Sequence, residues 1–188
     1  VVAGTARGLR LESPPGRATR PTVERVREAV FASLGDAVVG VAVLDLYAGT
    51  GAMAIEALSR GAACAVLVER DSRAAAVCRR NLAHTGFATR GRVVEVPVVP
   101  FLERPPPPEA PFGLVCCDPP YEERDQVVTA TLALLAAPGW LAPGAAVVVE
   151  RPAGTDVHPP PGWQRRFSRT YGDTLVHLLT AGAHNPAP

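Results

Sequence analysis

The chain alternates between two hydrophobic periods. VAVLDLY (41–47), ACAVLVER (63–70), RVVEV (92–96), FGLVCC (112–117) and GAAVVVE (144–150) are short, mostly branched apolar runs. Runs of this length, bounded by Gly, Pro and charged residues, predict strands buried on both faces. Between them, AMAIEALSRG (52–61), DSRAAAVCRRNLAHTG (71–86) and RDQVVTATLALLAA (124–137) place apolar residues at helical spacing. This alternation predicts an α/β fold, a parallel sheet covered by helices on both faces. FLERPPPPEAP (101–111) reads as a stiff surface loop. GWQRRFSRTYGDTLVHLLT (162–180) reads as two strands around Gly172-Asp173, an antiparallel hairpin at the sheet edge.

The amino-terminal part is less regular. Residues 1–12 alternate weakly and contain Gly4 and Gly8, which predicts a short β-hairpin, and SPPGRATRP (13–21) is a Pro/Gly loop. Thr22 can cap a helix after Pro21, with Val23, Val26, Val30, Phe31 and Leu34 on one stripe and Arg25 and Arg27 off it. The expected organisation is a hairpin and basic loop over 1–20, one α/β domain over 21–182 and a frayed tail over 183–188.

Composition narrows the function classes. A chain of 188 residues holds one well-filled α/β domain. No apolar run approaches the roughly 20 residues of a membrane span. The opening VVAGTARGLRL lacks the basic stub and apolar core of a signal peptide. Cys64, Cys78, Cys116 and Cys117 have no paired spacing, which argues for buried free thiols in a reducing cytoplasm rather than zinc or disulfides. His84, His158, His177 and His184 have no ligand spacing, so no metal is expected. Net charge is only +1, yet residues 1–28 carry six Arg against three Glu, 29–150 nine Arg against thirteen acids, and 151–188 four Arg against two Asp. Basic ends around an acidic middle suit either plain solvated surface or a polyanion docked on the terminal segments.

Candidate chemistry begins at the end of the first strand. In LDLYAGTGAMA, Gly49 and Gly51 let the backbone approach a ligand, and the helix after them presents free N–H groups. A dinucleotide site could use the same glycines. Asp45, four residues before Gly49, can pair with a cationic or amine-bearing ligand and would repel a pyrophosphate; an acid in that place can also simply satisfy loop amides. Glu69, ending the second strand, is placed for the two hydroxyls of a ribose. The combination favours the sulfonium cofactor S-adenosylmethionine over a nicotinamide dinucleotide.

The fourth strand runs into DPPY, residues 118–121. An exocyclic amino nitrogen on a nucleobase is a poor nucleophile, because its lone pair is delocalised into the ring. Asp118 can accept one of its N–H bonds and the carbonyl of Pro119 the other. Pro119 and Pro120 fix the local φ angles, so these acceptors are oriented beforehand, and Tyr121 offers a face for an extruded base, worth roughly 1–3 kcal/mol. A rigid turn closing a strand would use the same residues for structure alone.

These motifs, LDLYAGTGAMAIEALSRGA, DPPY and above all RPTVERVREAVF (20–31), resemble the RsmD family of bacterial 16S rRNA guanine-N2 methyltransferases, and the likeness runs from GTARGLRL to YGDTLVHLL. The resemblance implies a class I methyltransferase fold: a seven-stranded, Rossmann-like sheet with the last strand antiparallel, plus a small amino-terminal hairpin. It also implies S-adenosylmethionine as donor, and 16S rRNA in the 30S subunit or its assembly intermediate as partner, with no metal and no membrane. Asp118, Pro119, Pro120 and Tyr121 would carry the target base. Asp45, Tyr47, Gly49, Thr50, Gly51, Glu69, Arg70, Val98 and Asp118 would belong to the cofactor site. Similar enzymes place a polar or acidic residue after the third strand to meet the adenine amine; here Pro97 and Val98 stand there, leaving the Val98 backbone to meet the ring. Arg20, Arg25 and Arg27 are expected to hold RNA phosphates or the cofactor's carboxylate, Arg7, Arg10 and Arg17 to extend the contact with the RNA backbone, and the chain to act as a monomer.

Rival readings on the same residues are a DNA adenine-N6 or protein glutamine methyltransferase, a nicotinamide oxidoreductase that leaves DPPY unexplained, and a non-catalytic ribosome-assembly factor.

Overall fold

The computed structural model describes residues 1–13 and 21–182, with the side chains of residues 21–23 left aside. Its elements in chain order are α1 (Pro21–Leu34), a 3-10 turn (Gly35–Val38), β1 (Ala42–Leu46), α2 (Ala52–Ser59), β2 (Cys64–Glu69), α3 (Ser72–His84), β3 (Gly91–Glu95), α4 (Val98–Leu102), β4 (Phe112–Cys117), α5 (Asp125–Leu135), β5 (Leu141–Pro152), β6 (Gln164–Tyr171) and β7 (Thr174–Thr180). The strands form one seven-stranded sheet in the order β3-β2-β1-β4-β5-β7-β6. β3, β2, β1, β4 and β5 pair in parallel, while β7 is antiparallel to both β5 and β6. The expected α/β architecture and the carboxyl-terminal hairpin are both present.

Each face of the sheet carries its own core. On one face Val26, Val30 and Phe31 of α1, Ile55 and Leu58 of α2, and Cys78 and Leu82 of α3 pack against Val43, Leu67, Leu114 and Val148. On the other, Val98, Phe101 and Leu102 of α4 and Val128, Leu132 and Leu135 of α5 pack with Trp140 against Leu44, Val66, Val115 and Val149. Trp140 sits 2% exposed between Phe101 and Phe112 and packs against both rings. Alternate residues of β1 and β4 point to opposite cores, and for that reason these runs are apolar on both faces, with Asp45 the exception in β1.

Three local readings are corrected. Residues 1–13 contain no strand; they close into a loop of turns in which the Val1 ammonium donates to Leu9 O at 2.7 Å and Gly8 N to Val1 O at 2.9 Å. Partners outside the loop lie on α2 and, for Glu12, on Asn81 and Arg80 of α3, so helix contacts replace the ladder a hairpin would need. The second is α4, which starts three residues before FLERPPPPEAP and includes Phe101 and Leu102. Pro100 falls in its first turn, where a missing N–H is not needed, so the proline does not prevent the helix. The expected tail at 183–188 lies outside the described residues, and Thr22 is corrected: α1 already begins at Pro21, so Thr22 stands within its first turn rather than at its cap.

Glu56, fully buried in α2, fastens the amino-terminal loop. Its carboxylate accepts the Val2 and Ala3 amides at 2.7 and 3.0 Å and Arg60 Nε at 2.7 Å, and faces Arg27 Nε at 3.8 Å. Next to it, Ser59 Oγ accepts the Ala6 amide at 2.9 Å and its backbone carbonyl accepts Thr5 N at 2.9 Å. Removing a buried acid that neutralises two arginines leaves their charge uncompensated, a loss of about 3–5 kcal/mol. Glu56→Ala is therefore expected to lower unfolding stability by about that amount in urea titration; a change under about 1 kcal/mol would show that the loop and Arg27 find other partners.

Candidate functional site

The parallel registers bring four acids to one edge of the sheet. Asp45 lies opposite Leu67 and Cys116, Leu46 opposite Val68 and Cys117, and Cys117 opposite Val149. One step further along the same registers, Glu69, Tyr47, Asp118 and Glu150 stand level at the carboxyl ends of β2, β1, β4 and β5. Asp45 is one pleat below. Burial, then the charges of Asp118 and Glu69, push the Asp45 carboxyl up to about 8 against the pull of the Ala54 amide. Burial and the charges of Asp118 and Asp45 push Glu150 up to about 8, with Arg27 opposing. Carboxyls that raise one another's pKa in this way are ionised more readily beside a cation, so the edge favours cationic and amine-bearing groups and disfavours a pyrophosphate.

The turn after β1 is built to hold this edge open. Tyr47 has φ +61°, Gly49 +56° and Gly51 +78°. For a tyrosine the left-handed region is strained. Its effect is to carry the ring to the α4/α5 side, away from the Asp45 side. Asp45, 3% exposed, accepts the Ala54 amide at 3.0 Å in the first turn of α2, so its observed partner is a loop amide. Glu69 accepts Gly49 N and Asp71 N, each at 2.8 Å. A carboxylate has about four acceptor positions, so hydroxyls can still be received beside these two amides. Cys78 Sγ holds Gly49 O at 3.1 Å, and Asn81 Nδ2 holds Thr50 O at 2.9 Å. The two glycines differ in what surrounds them. A Cβ at Gly51 would stand 2.9 Å from Leu67 Cδ2 and 3.3 Å from Cys78 Sγ, whereas at Gly49 it would meet only Tyr47 O at 3.9 Å. A side chain at Gly51 would have to displace Leu67, whereas Gly49 borders open space that a ligand can fill.

The segment after β4 is fastened at both ends. Asp118 is exposed, its amide 3.5 Å from Leu46 O, while Pro119 is buried and Pro120 half-buried. The Tyr121 ring is 45% exposed and its hydroxyl meets Thr174 Oγ1 at 2.8 Å, which fixes the ring's direction from β7. Arg151, 3% exposed on β5, donates Nη2 to Glu123 O at 2.8 Å and to Asp125 Oδ1 at 2.7 Å. An exposed carboxylate, a buried proline and a half-exposed ring thus stand beside the glycine turn.

The remaining site residues are dispersed. Arg7, Arg10, Arg25 and Arg70 are exposed. Arg27 is corrected: at 6% exposure, facing Glu56, its charge is used inside the protein and cannot reach RNA phosphates as expected. Arg17 and Arg20 lie outside the described residues. Val98 buries its side chain in the α4/α5 core at the start of α4. Glu150, Arg151 and Thr174 were missed by the sequence reading. The available signal was positional, because Glu150 ends its apolar run as Glu69 does. Among the described residues no cluster of three or more His, Cys, Asp or Glu could hold a metal ion, and no helix is long and apolar enough to cross a membrane.

The raised Asp45 value fixes a direction for pH dependence. Between about pH 4 and about pH 8 the folded chain keeps a proton on Asp45 that the unfolded chain has released. Its contribution is full below that interval and is lost as pH rises through it. Asp45→Asn keeps an acceptor for the Ala54 amide without a charge. The variant is expected to gain thermal stability over the unchanged chain between about pH 5 and about pH 8.5, read as the difference in Tm; a constant difference would mean that Asp45 titrates normally.

Comparison with known proteins agrees with this geometry. The family "Conserved hypothetical protein 95" matches residues 1–180. The chain is 35% identical over 179 residues to "Ribosomal RNA small subunit methyltransferase D" of Escherichia coli, covering 95% of this chain and 87% of the relative. The solved structure of yhhF from Escherichia coli superimposes with a TM-score of 0.87 at 34% identity, over 98% of both chains. A "tRNA1(Val) (adenine(37)-N6)-methyltransferase" of Shewanella putrefaciens is 32% identical over 82 residues, covering 44% of this chain and 34% of that one. With its fold, its acid-edged glycine turn and its DPPY segment in place, the chain belongs to the conserved hypothetical protein 95 family, that of the RsmD methyltransferases.

Proposed function

We propose that this chain transfers a methyl group from S-adenosylmethionine to the exocyclic N2 amine of a loop guanine in 16S rRNA, within the small ribosomal subunit or its assembly intermediate. The observation that carries the reading is the placement of Asp118: exposed, level with the glycine turn, and followed by a buried proline and a half-exposed ring. The relatives' names support ribosomal RNA as substrate, and the partial likeness to an adenine-N6 enzyme supports an exocyclic amine as acceptor.

The residues of the turn fit the cofactor. Gly49 leaves room for it, Glu69 has acceptor positions for ribose hydroxyls, and the acidic edge suits a positively charged sulfur. Tyr47, Thr50, Gly51 and Arg70 border the same turn, with the Val98 backbone toward the adenine. When bound, S-adenosylmethionine supplies an electrophilic methyl group. Asp118 and the Pro119 carbonyl accept the two N–H bonds of the amine and so aim its lone pair. The Asp118 charge stabilises the nitrogen as it becomes cationic, after which its proton is lost to water. Tyr121 stacks the extruded base, at a cost in unpairing that is smaller in a loop than in a duplex.

Asp118→Ala is expected to abolish transfer of labelled methyl to unmodified small subunits, a loss of about 10²-fold or more, while S-adenosylmethionine affinity stays within about threefold. Label appearing in DNA or protein instead of guanine would overturn the substrate; a large loss of cofactor affinity would overturn the role of Asp118. The two glycines should separate. Gly49→Ala and Gly51→Ala each incur about 1–2 kcal/mol for a left-handed backbone. Gly51→Ala should lower Tm further by displacing Leu67, whereas Gly49→Ala should lose more cofactor affinity than stability, seen by calorimetry beside thermal melts.

A further inference from the structure

The level row that holds Glu69, Tyr47, Asp118 and Glu150 continues across the hairpin. Glu150 pairs with Val176 on β7, and Val176 with Arg169 on β6. The row that is acidic at the candidate site therefore ends in a cation, three strand spacings from Asp118, or ~14 Å. The Arg169 guanidinium carbon lies 5.0 Å above the Phe167 ring, which holds an exposed arginine in one orientation and lowers the entropy cost of its binding. Arg166, in the register shift between Arg165 and Phe167, is exposed as well. Arg25 is exposed on α1, which packs against β6.

Among the described residues the charge on this border has no carboxylate partner. Arg60, Arg79, Arg80, Arg92, Arg151 and Arg165 each face a carboxylate. Arg25, Arg166 and Arg169 form no ion pair among the described residues. β6, QRRFSRTY, contains no acid, and Asp173 lies beyond it in the turn. The strand is also last in the sheet, with no further strand paired to its edge among the described residues. Pairing of two copies along that edge would set a strand with three arginines against itself, and like charges facing across strands are destabilising. A polyanion meets the same edge with complementary charge.

We infer that β6 and the adjacent face of α1, through Arg166, Arg169 and Arg25, form a docking strip for the RNA backbone flanking the target nucleotide. The inference rests on the reading of Asp118–Tyr121 as the base site. The Tyr121 hydroxyl is held by Thr174, which pairs with Tyr171 at the end of β6, so strip and base platform are joined through one hairpin. The strip contributes affinity and orientation, not chemistry: phosphates bound there raise the occupancy of the base site and carry no sequence information.

The test uses the full chain with unmodified small subunits and with naked 16S rRNA, over a series of salt concentrations. Arg166→Gln combined with Arg169→Gln is expected to raise KM for the RNA substrate, leave kcat and S-adenosylmethionine affinity unchanged, and flatten the slope of log affinity against log salt by about 2, one for each phosphate that is no longer neutralised. Arg104→Gln, an exposed arginine after α4 on the opposite face, serves as control and should change none of these. An unchanged slope in the double variant, or an equal effect of Arg104→Gln, overturns the strip while the methylation reading stands. A concentration-dependent dimer that the double variant abolishes would identify β6 as an interface between copies and overturn the strip as well. Failure of the unaltered chain to bind or methylate any RNA overturns both together.

Discussion

The site depends on the divergence of two crossovers. From β1 the chain turns through α2 to β2 on one side, and from β4 through α5 to β5 on the other. Right-handed crossovers running in opposite directions along a sheet put their helices on opposite faces. The carboxyl ends of β1 and β4 are thus adjacent strands whose following loops part from each other, and the space between them is open because neither helix can cover it. Tyr47–Gly51 and Asp118–Tyr121 are the two walls of that opening. No other pair of adjacent strands in this order has both properties.

An acidic edge of this kind is costly, and the local structure shows how the cost is offset. Asp45 receives an amide from the first turn of α2, and Glu69 receives two amides, one of them from Gly49 itself. The bonds that satisfy the carboxylates therefore also set the shape of the turn. Glu150 has Arg27 as its opposing charge, and Arg27 in turn faces Glu56, which gathers the amino-terminal loop. Loop, first helix and sheet edge are linked through buried charge, so α1 and residues 1–13 belong to the domain mechanically. An arginine that reads as surface in the sequence is spent inside this link.

The second wall is held differently. Its rigidity comes from two prolines within the segment and from two side chains that reach it from distant strands, Arg151 of β5 and Thr174 of β7. A ring fixed through its hydroxyl can keep one face toward solvent. The antiparallel hairpin at the end of the chain thereby has two tasks, closing the sheet on that side and orienting Tyr121.

The strand and helix order, the DPPY segment and the glycine turn were legible because they are local: apolar runs of fixed period, prolines that fix φ and glycines that release it do not need the rest of the chain to be recognised. Within the same chain, α4 was missed because it is only five residues long and runs directly into the prolines that mark FLERPPPPEAP as a loop. The amino-terminal hairpin was expected because weak alternation does not distinguish a ladder from a loop held by Glu56 and Ser59. Arg25 and Arg27 read alike, two residues apart on one helix, yet one is exposed and the other buried. Sequence periodicity fixes which side of a helix is apolar; the tilt at which the helix meets the sheet decides which polar side chain beside that stripe is enclosed. Glu150 and Arg169 acquire meaning only from register, since the pairing of β4 with β5, β5 with β7 and β7 with β6 sets them in line with Asp118, and Arg151 only from the contacts it makes with Glu123 and Asp125. The sequence by itself determined the elements and the chemistry at each strand end, because these follow from backbone preference and residue type. Only the tertiary structure decided which ends stand side by side, because strand order and register are set by packing across the whole sheet.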